Sequence, residues 1–221
     1  MKTILRYCGA PLTALLICTA FAAGPTDSGT SSSTTRVVLW NGTDIDGWSV
    51  FLQDPAVAPR SVWSVHDGVL RLTGQPKGYL RTIKTYANYR LHVEWRWPTA
   101  VENNNSGVFI HMSGPDLIWA DCVECQLKAG LAGNGIGHGK IDFDGLVING
   151  NKVHRAPPPT TEKPIGEWNE YDITCRGDTI EIAVNGVHRN RIEKLSSTSG
   201  GIGLQLEGTP VEFRNIWLEP L

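Results

Sequence analysis

From about residue 60 to the C-terminus the chain repeats one device: a short run of alternating apolar and polar residues, cut off by a glycine-containing turn. Alternation at period two puts successive side chains on opposite faces of a strand, whereas a helix needs a period near 3.6. The runs are Ser61 to Val65, Val69 to Leu72, Tyr79 to Thr82, Tyr89 to Trp97, Val108 to Met112, Val123 to Leu127, Tyr171 to Cys175, Thr179 to Val184, Gly203 to Leu206 and Val211 to Leu218. Turn signals stand at Asp67-Gly68, Arg176-Gly177-Asp178 and Asn185-Gly186. The last lies between Thr-Ile-Glu-Ile-Ala-Val and Val-His-Arg-Asn, which predicts a tight hairpin. Many short strands without a long amphipathic helix predict an all-β sandwich of packed sheets.

The chain is 221 residues long and 41% hydrophobic, enough for one domain with a sizeable core. Its first 22 residues read as an export peptide: Lys2 and Arg6, a short apolar stretch, then Ala20-Phe21-Ala22 as a cleavage signal, with the cut expected after Ala22. A lipoprotein would instead keep Cys18, but Leu15-Leu16-Ile17 lacks the small residue wanted before a lipidated cysteine. Residues 23–36 are small and polar and read as a flexible tether. The domain is expected over 37–221. No later run is apolar and long enough to span a membrane. Removing residues 1–22 leaves 18 basic against 22 acidic side chains, a net charge of about −4, which argues against a nucleic-acid partner. The exported chain keeps Cys122, Cys125 and Cys175, an odd number. Three residues along a strand puts Cys122 and Cys125 on opposite faces, so the C-x-x-C spacing reads as buried thiols, not a redox pair or zinc hook.

Two runs flanking a turn-rich connection, 106–112 and 122–127, concentrate the functional groups. In the first, Gly107, Phe109 and His111 share a face; in the second, Cys122, Glu124 and Gln126 do. Paired in one antiparallel sheet, these faces would form a wall carrying an imidazole, a carboxylate, a carboxamide and an aromatic ring. Gln205 and Glu207 share a strand face and could complete that wall. The run 91–97 puts Leu91, Val93, Trp95 and Trp97 on one face, read as core, and His92, Glu94 and Arg96 on the other, read as either a solvated face or a ligand-binding one. Residues 128–168, with glycines at 130, 133, 135, 137 and 139 and three prolines at 157–159, read as a long irregular lid-like loop.

Several stretches in order resemble one family, the exported 3-keto-disaccharide hydrolase domains. They include Leu39-Trp40-Asn41-Gly42-Thr43-Asp44, Asn105-Ser106-Gly107-Val108-Phe109, Val123-Glu124-Cys125-Gln126, Gly166-Glu167-Trp168-Asn169 and Gly203-Leu204-Gln205-Leu206-Glu207-Gly208. The resemblance implies a concanavalin A-like jelly roll of two antiparallel sheets with a sugar-binding concave face. It also implies cleavage of a glycoside oxidised at C3. The ketone acidifies the C2 proton, so the site needs a base, donors for the enolate and an acid for the leaving group. His111 and Glu124 are the candidates for base and acid. Arg96, Gln126 and Gln205 are candidate orienting donors, with Phe109 and Glu207 also on the wall. Trp119, in the connection between the two runs, is a candidate to stack on a sugar ring. Arg214 reads as a sheet-holding ion pair. No cofactor is required, although His111, Asp116, Asp121 and Glu124 could suit a divalent metal. The chain departs from the family pattern at His111, Val123 and Glu207. Two other functions fit the same fold: a non-catalytic carbohydrate-binding module, and a hydrolase of unmodified glycosides using Glu124 and Glu207.

Overall fold

The computed structural model describes residues 35–221. The expected export peptide and residues 23–34 of the expected tether lie outside the described residues. The tether's final residue, Arg36, lies 3.6 Å from the Trp217 ring centroid and pairs with Glu219 at 3.2 Å. Sixteen strands follow: β1 (Val37–Val38), β2 (Trp48–Leu52), β3 (Trp63–His66), β4 (Val69–Leu72), β5 (Gly78–Thr82), β6 (Tyr89–Arg96), β7 (Gly107–Ser113), β8 (Asp121–Gln126), β9 (Gly135–His138), β10 (Leu146–Ile148), β11 (Asn151–His154), β12 (Asn169–Arg176), β13 (Thr179–Val184), β14 (Val187–Ile192), β15 (Gly201–Leu206) and β16 (Val211–Pro220). The only helical element among the described residues is a 3-10 turn at Pro59–Val62.

All pairings are antiparallel and build two eight-stranded sheets. The first runs β14-β13-β12-β6-β16-β4-β3 with β1 also on β16; the second runs β10-β11-β9-β8-β7-β15-β5-β2. The Asn185-Gly186 and Asp67-Gly68 hairpin turns are left-handed at both central residues, as the two-residue type I′ turn requires, whereas the Gly177-Asp178 turn is left-handed only at Gly177. Asn185 and Gly186 have φ of 52° and 75°, and Asp67 and Gly68 have 49° and 77°. A further Asn-Gly pair, Asn149 and Gly150 at 50° and 83°, joins β10 to β11. Residues 128–168 are therefore not one irregular loop: they hold β9, β10 and β11, which extend the second sheet.

In the first sheet β6, β12 and β13 alternate buried and less buried residues. Their inner faces supply Leu91, Val93, Trp95, Tyr171, Ile173 and Ile182, each fully buried. Full burial of such a side chain stabilises by roughly 1.5–3 kcal/mol. Trp97 is buried with them. The outer face carries the His92, Glu94 and Arg96 row. Arg96 Nε donates to Glu212 at 2.6 Å, Arg214 Nε donates to Glu94 at 2.6 Å, and His92 pairs with Asp172 at 3.1 Å. The row is a self-neutralised ion-pair lattice.

The central strands of the second sheet differ, because β7, β8 and β15 are buried on both faces. Val108, Ile110, Val123, Cys125, Ile202 and Leu204 complete the main core. The opposite face carries a separate cluster of Tyr79, Phe109, Met112, Ala120 and Cys122 with Phe51 against it. Cys122 thus faces away from Cys125, as alternation requires. All three described cysteines are free and buried, and burial pushes the Cys175 thiol up to about 12.

Candidate functional site

Strand register arranges the outer face of the second sheet in cross-strand rows. One row runs Gln126, Gly107, Gln205, Tyr79, Phe51; the next runs Ile136, Glu124, Phe109, Gly203, Arg81. A third pairs His138 with Cys122. Beyond the first row stand Lys77, Glu207 and Asn105, joined by hydrogen bonds of 3.1 and 2.9 Å to Glu207. Six of the eight residues expected at the site, Glu124, Phe109, Trp119, Gln126, Gln205 and Glu207, are brought to this wall.

Two are not. Arg96 belongs to β6, so it lies on the outer face of the first sheet, with the whole core between it and Glu124. His111 is lost to a β-bulge. Between Ile110 and Ser113, β7 carries one more residue than β8 does between Val123 and Asp121, and it shows the same excess against β15. His111 takes that extra place in the left-handed region at φ 56°, and a bulge re-aims the side chains that follow it. Met112 therefore joins Phe109 on the wall. His111 turns inward, edge-on to Tyr89 of the first sheet at 6.2 Å, with Nδ1 3.0 Å from the Ser197 carbonyl. It is fully buried, and that burial holds its pKa below the ordinary value despite the bond to Ser197.

The imidazole on the wall is His138. In β9, Gly135 and Gly137 face the core, where a Cβ would meet Ile192 and Phe143, so alternation sends His138 outward. Its Nε2 lies 2.6 Å from Glu124 Oε2, with both residues buried. Desolvation raises the Glu124 pKa, with Glu207 adding to the rise and His138 opposing it. Glu124 Oε1 has no hydrogen-bond partner, and neither have Gln205 Oε1 and Asn105 Oδ1. Three buried acceptors without donors match a ligand rich in hydroxyl groups, since such atoms are costly unless paired. Gly107 is what seats the carboxylate: a Cβ there would lie 2.7 Å from Glu124 Oε1.

The connection 114–120 covers this wall. Asp116 accepts from Tyr79 at 3.0 Å and pairs with Arg81 at 3.5 Å, while Arg81 also donates to the Met112 and Gly114 carbonyls. Burial, with Asp116 adding to it, raises the Tyr79 phenol well above its usual value. Trp119 stacks on His138, with ring centroids 5.0 Å apart and planes 19° from parallel. Lys77 Nζ lies 5.4 Å from the same indole. Gln126 Oε1 accepts from the Lys128 amide at 2.9 Å.

The metal quartet read from the sequence does not converge: His111 points inward, Asp116 is held by Tyr79 and Arg81, and Asp121 accepts from the Lys140 amide. Among the described residues no three His, Cys, Asp or Glu side chains form a metal-holding group. His138, Lys77, Tyr79 and Asn105 were not anticipated. The signal for His138 was the alternation in Gly-Ile-Gly-His, which four glycine-rich residues carry too faintly to stand out.

Solved structures with this fold include a candidate glycosyl hydrolase from Parabacteroides distasonis, with TM-score 0.62 and 21% identity over 84% of this chain and 94% of that one. A carbohydrate-binding module from Bacillus subtilis has TM-score 0.57 and 11% identity over 78% and 95%. A β-glucanase from Bacillus licheniformis has TM-score 0.55 and 14% identity over 86% and 99%. The architecture is the concanavalin A-like jelly roll. No curated protein matches the chain, and no helix among the described residues is long and apolar enough to cross a membrane. The 3-keto-alpha-glucoside-1,2-lyase-like domain matches residues 35–219, nearly the whole described chain, and this protein belongs to that family.

Proposed function

We propose that this protein is an exported carbohydrate-active enzyme that cleaves 3-keto-glycosides by elimination, with Glu124 as the base. The observation that carries the reading is the state of Glu124. It is a carboxylate with raised pKa, fixed through one oxygen by His138 and left unpartnered at the other. A base works best when its pKa approaches the operating pH and its geometry is held in advance. His138 keeps the carboxylate oriented, and its own ring is covered by Trp119 and met edge-on by Phe109 at 6.0 Å. Glu124 Oε1 is thus the free basic atom.

In the reaction the C2–H bond breaks, its proton passes to Glu124 Oε1, and the electron pair forms C2=C3 with negative charge on O3. The charge then returns to C3=O as C1=C2 forms and the C1–O bond breaks. The leaving oxygen takes the proton from Glu124. Water added across C1=C2 completes the cleavage. Gln126 and Gln205 stand in the row beside the base and orient the ring.

Matched pairs of 3-keto and unoxidised disaccharides test this, with released sugar followed for the protein and for Glu124→Gln. Release from the keto member alone, lost in the variant, is the expected result. Equal release from the unoxidised member would favour direct hydrolysis, for which Glu207 on the same wall is the second carboxylate. Binding without release from either would leave a carbohydrate-binding module.

A further inference from the structure

Resting on that elimination reading, we infer that Lys77 is a catalytic residue: the cation that meets the negative charge developing on O3. An enolate needs donors preorganised where charge appears, and the unpartnered atoms on the wall, Glu124 Oε1, Gln205 Oε1 and Asn105 Oδ1, are all acceptors. Lys77 immediately precedes β5 and lies in register with Glu207, one row beyond Gln205 and Tyr79. Its ammonium uses one contact on Glu207 Oε1 at 3.1 Å, and an ammonium carries three donors. Glu207 is itself braced, because Asn105 Nδ2 donates to its other oxygen at 2.9 Å.

The indole of Trp119 links the two ends of the site. Lys77 Nζ is 5.4 Å from its centroid, and His138, the partner of Glu124, stacks on the same ring at 5.0 Å. Lys77 and the histidine that holds the base therefore both border one ring-sized group on the same wall. Arg81, the other long cation rising from β5, is engaged by the Met112 and Gly114 carbonyls and by Asp116. Its side chain is 17% exposed, whereas the Lys77 side chain is 41% exposed and its ammonium keeps N–H groups beyond the one on Glu207. Lys77 is also placed to leave the leaving-group proton to Glu124, since it supplies charge and hydrogen bonds without giving up a proton.

The test uses Lys77→Met, Lys77→Arg and Lys77→Ala in the full chain. Release of sugar and exchange of the C2 hydrogen with deuterated solvent are both followed on a 3-keto disaccharide. Loss of one oxyanion donor lowers kcat by about 100- to 1,000-fold, so Lys77→Met is expected to lose kcat and C2 exchange together, with KM little changed. Lys77→Arg is expected to retain an intermediate rate. Added ethylamine is expected to restore part of the Lys77→Ala rate in proportion to its concentration, which a merely structural lysine would not allow. Unchanged kcat in Lys77→Met, a defect confined to KM, or absence of amine rescue would overturn the assignment while leaving the elimination reading intact. A wild-type protein that neither exchanges C2 nor releases sugar from keto substrates would overturn both.

Discussion

Replacing Glu124 with Gln is expected to stabilise the protein at neutral pH while abolishing its chemistry. The ionised carboxylate gains a charge-assisted hydrogen bond to His138 at 2.6 Å, and such bonds contribute about 1.5–3 kcal/mol. Against that stands the burial of an ion at 1% exposure, whose effective penalty is several kcal/mol. The raised pKa of Glu124 states the balance: the folded site favours the neutral form, so the penalty wins. The sign follows from linkage. Below the ordinary carboxylate pKa of 4.5 both folded and unfolded chains carry a proton there, and the penalty is absent. As pH rises from that value through the folded pKa, the unfolded chain gives up its proton first and stability falls. Glu124→Gln removes this loss, so its advantage should be absent near pH 4, grow with pH, and level off above the folded pKa. A net gain of about 1 kcal/mol corresponds to roughly 2–4 °C in Tm for a chain of this size. Thermal and urea unfolding of both proteins from pH 4 to 8 measures it. A variant less stable than wild type at pH 7–8, or an advantage that shrinks as pH rises, would refute the reasoning.

Gly107→Ala places a Cβ 2.6 Å from Glu124 Cγ, so overpacking should cost about 1–3 kcal/mol and the displaced carboxylate roughly 100-fold in kcat. Urea midpoints and turnover on a 3-keto disaccharide check both. Arg96→Ala breaks its pair with Glu212 on the outer face of the first sheet, remote from the wall, and should cost about 1 kcal/mol or less, with kcat/KM unchanged. His111 is held below its ordinary pKa by burial, so its contribution to stability is present above the unfolded value near 6.5 and is lost as pH falls through the folded one. His111→Asn, tolerated at a left-handed position, should flatten the acid limb of the urea-midpoint profile below pH 6.5.

The strands were legible wherever alternation ran for five or more residues between strong turns, as in Tyr89 to Trp97 or Thr179 to Val184. They were illegible in Gly135 to His138, where glycines facing the core stand in place of the apolar half of the pattern. The Asn149-Gly150 turn was the available clue to β10 and β11. Glu124, Gln126 and Gln205 were legible as wall residues because plain period two holds through β8 and β15.

Local sequence thus determined the sandwich, the buried thiols, the direction of each regular strand's faces, and that Glu124 stands on the wall. Tertiary structure alone decided which imidazole meets it. A bulge is a disagreement in residue count between neighbouring strands, so it exists only once the strands are paired, and a single extra residue at His111 moved that ring from the wall into the core. The pairing of β9 with β8 then brought His138, 14 residues away in sequence from Glu124, to within a hydrogen bond of it. Sheet assignment separated Arg96 from the site for the same reason. Alternation says that a side chain faces one way, and only the packing of two sheets says what lies on that side.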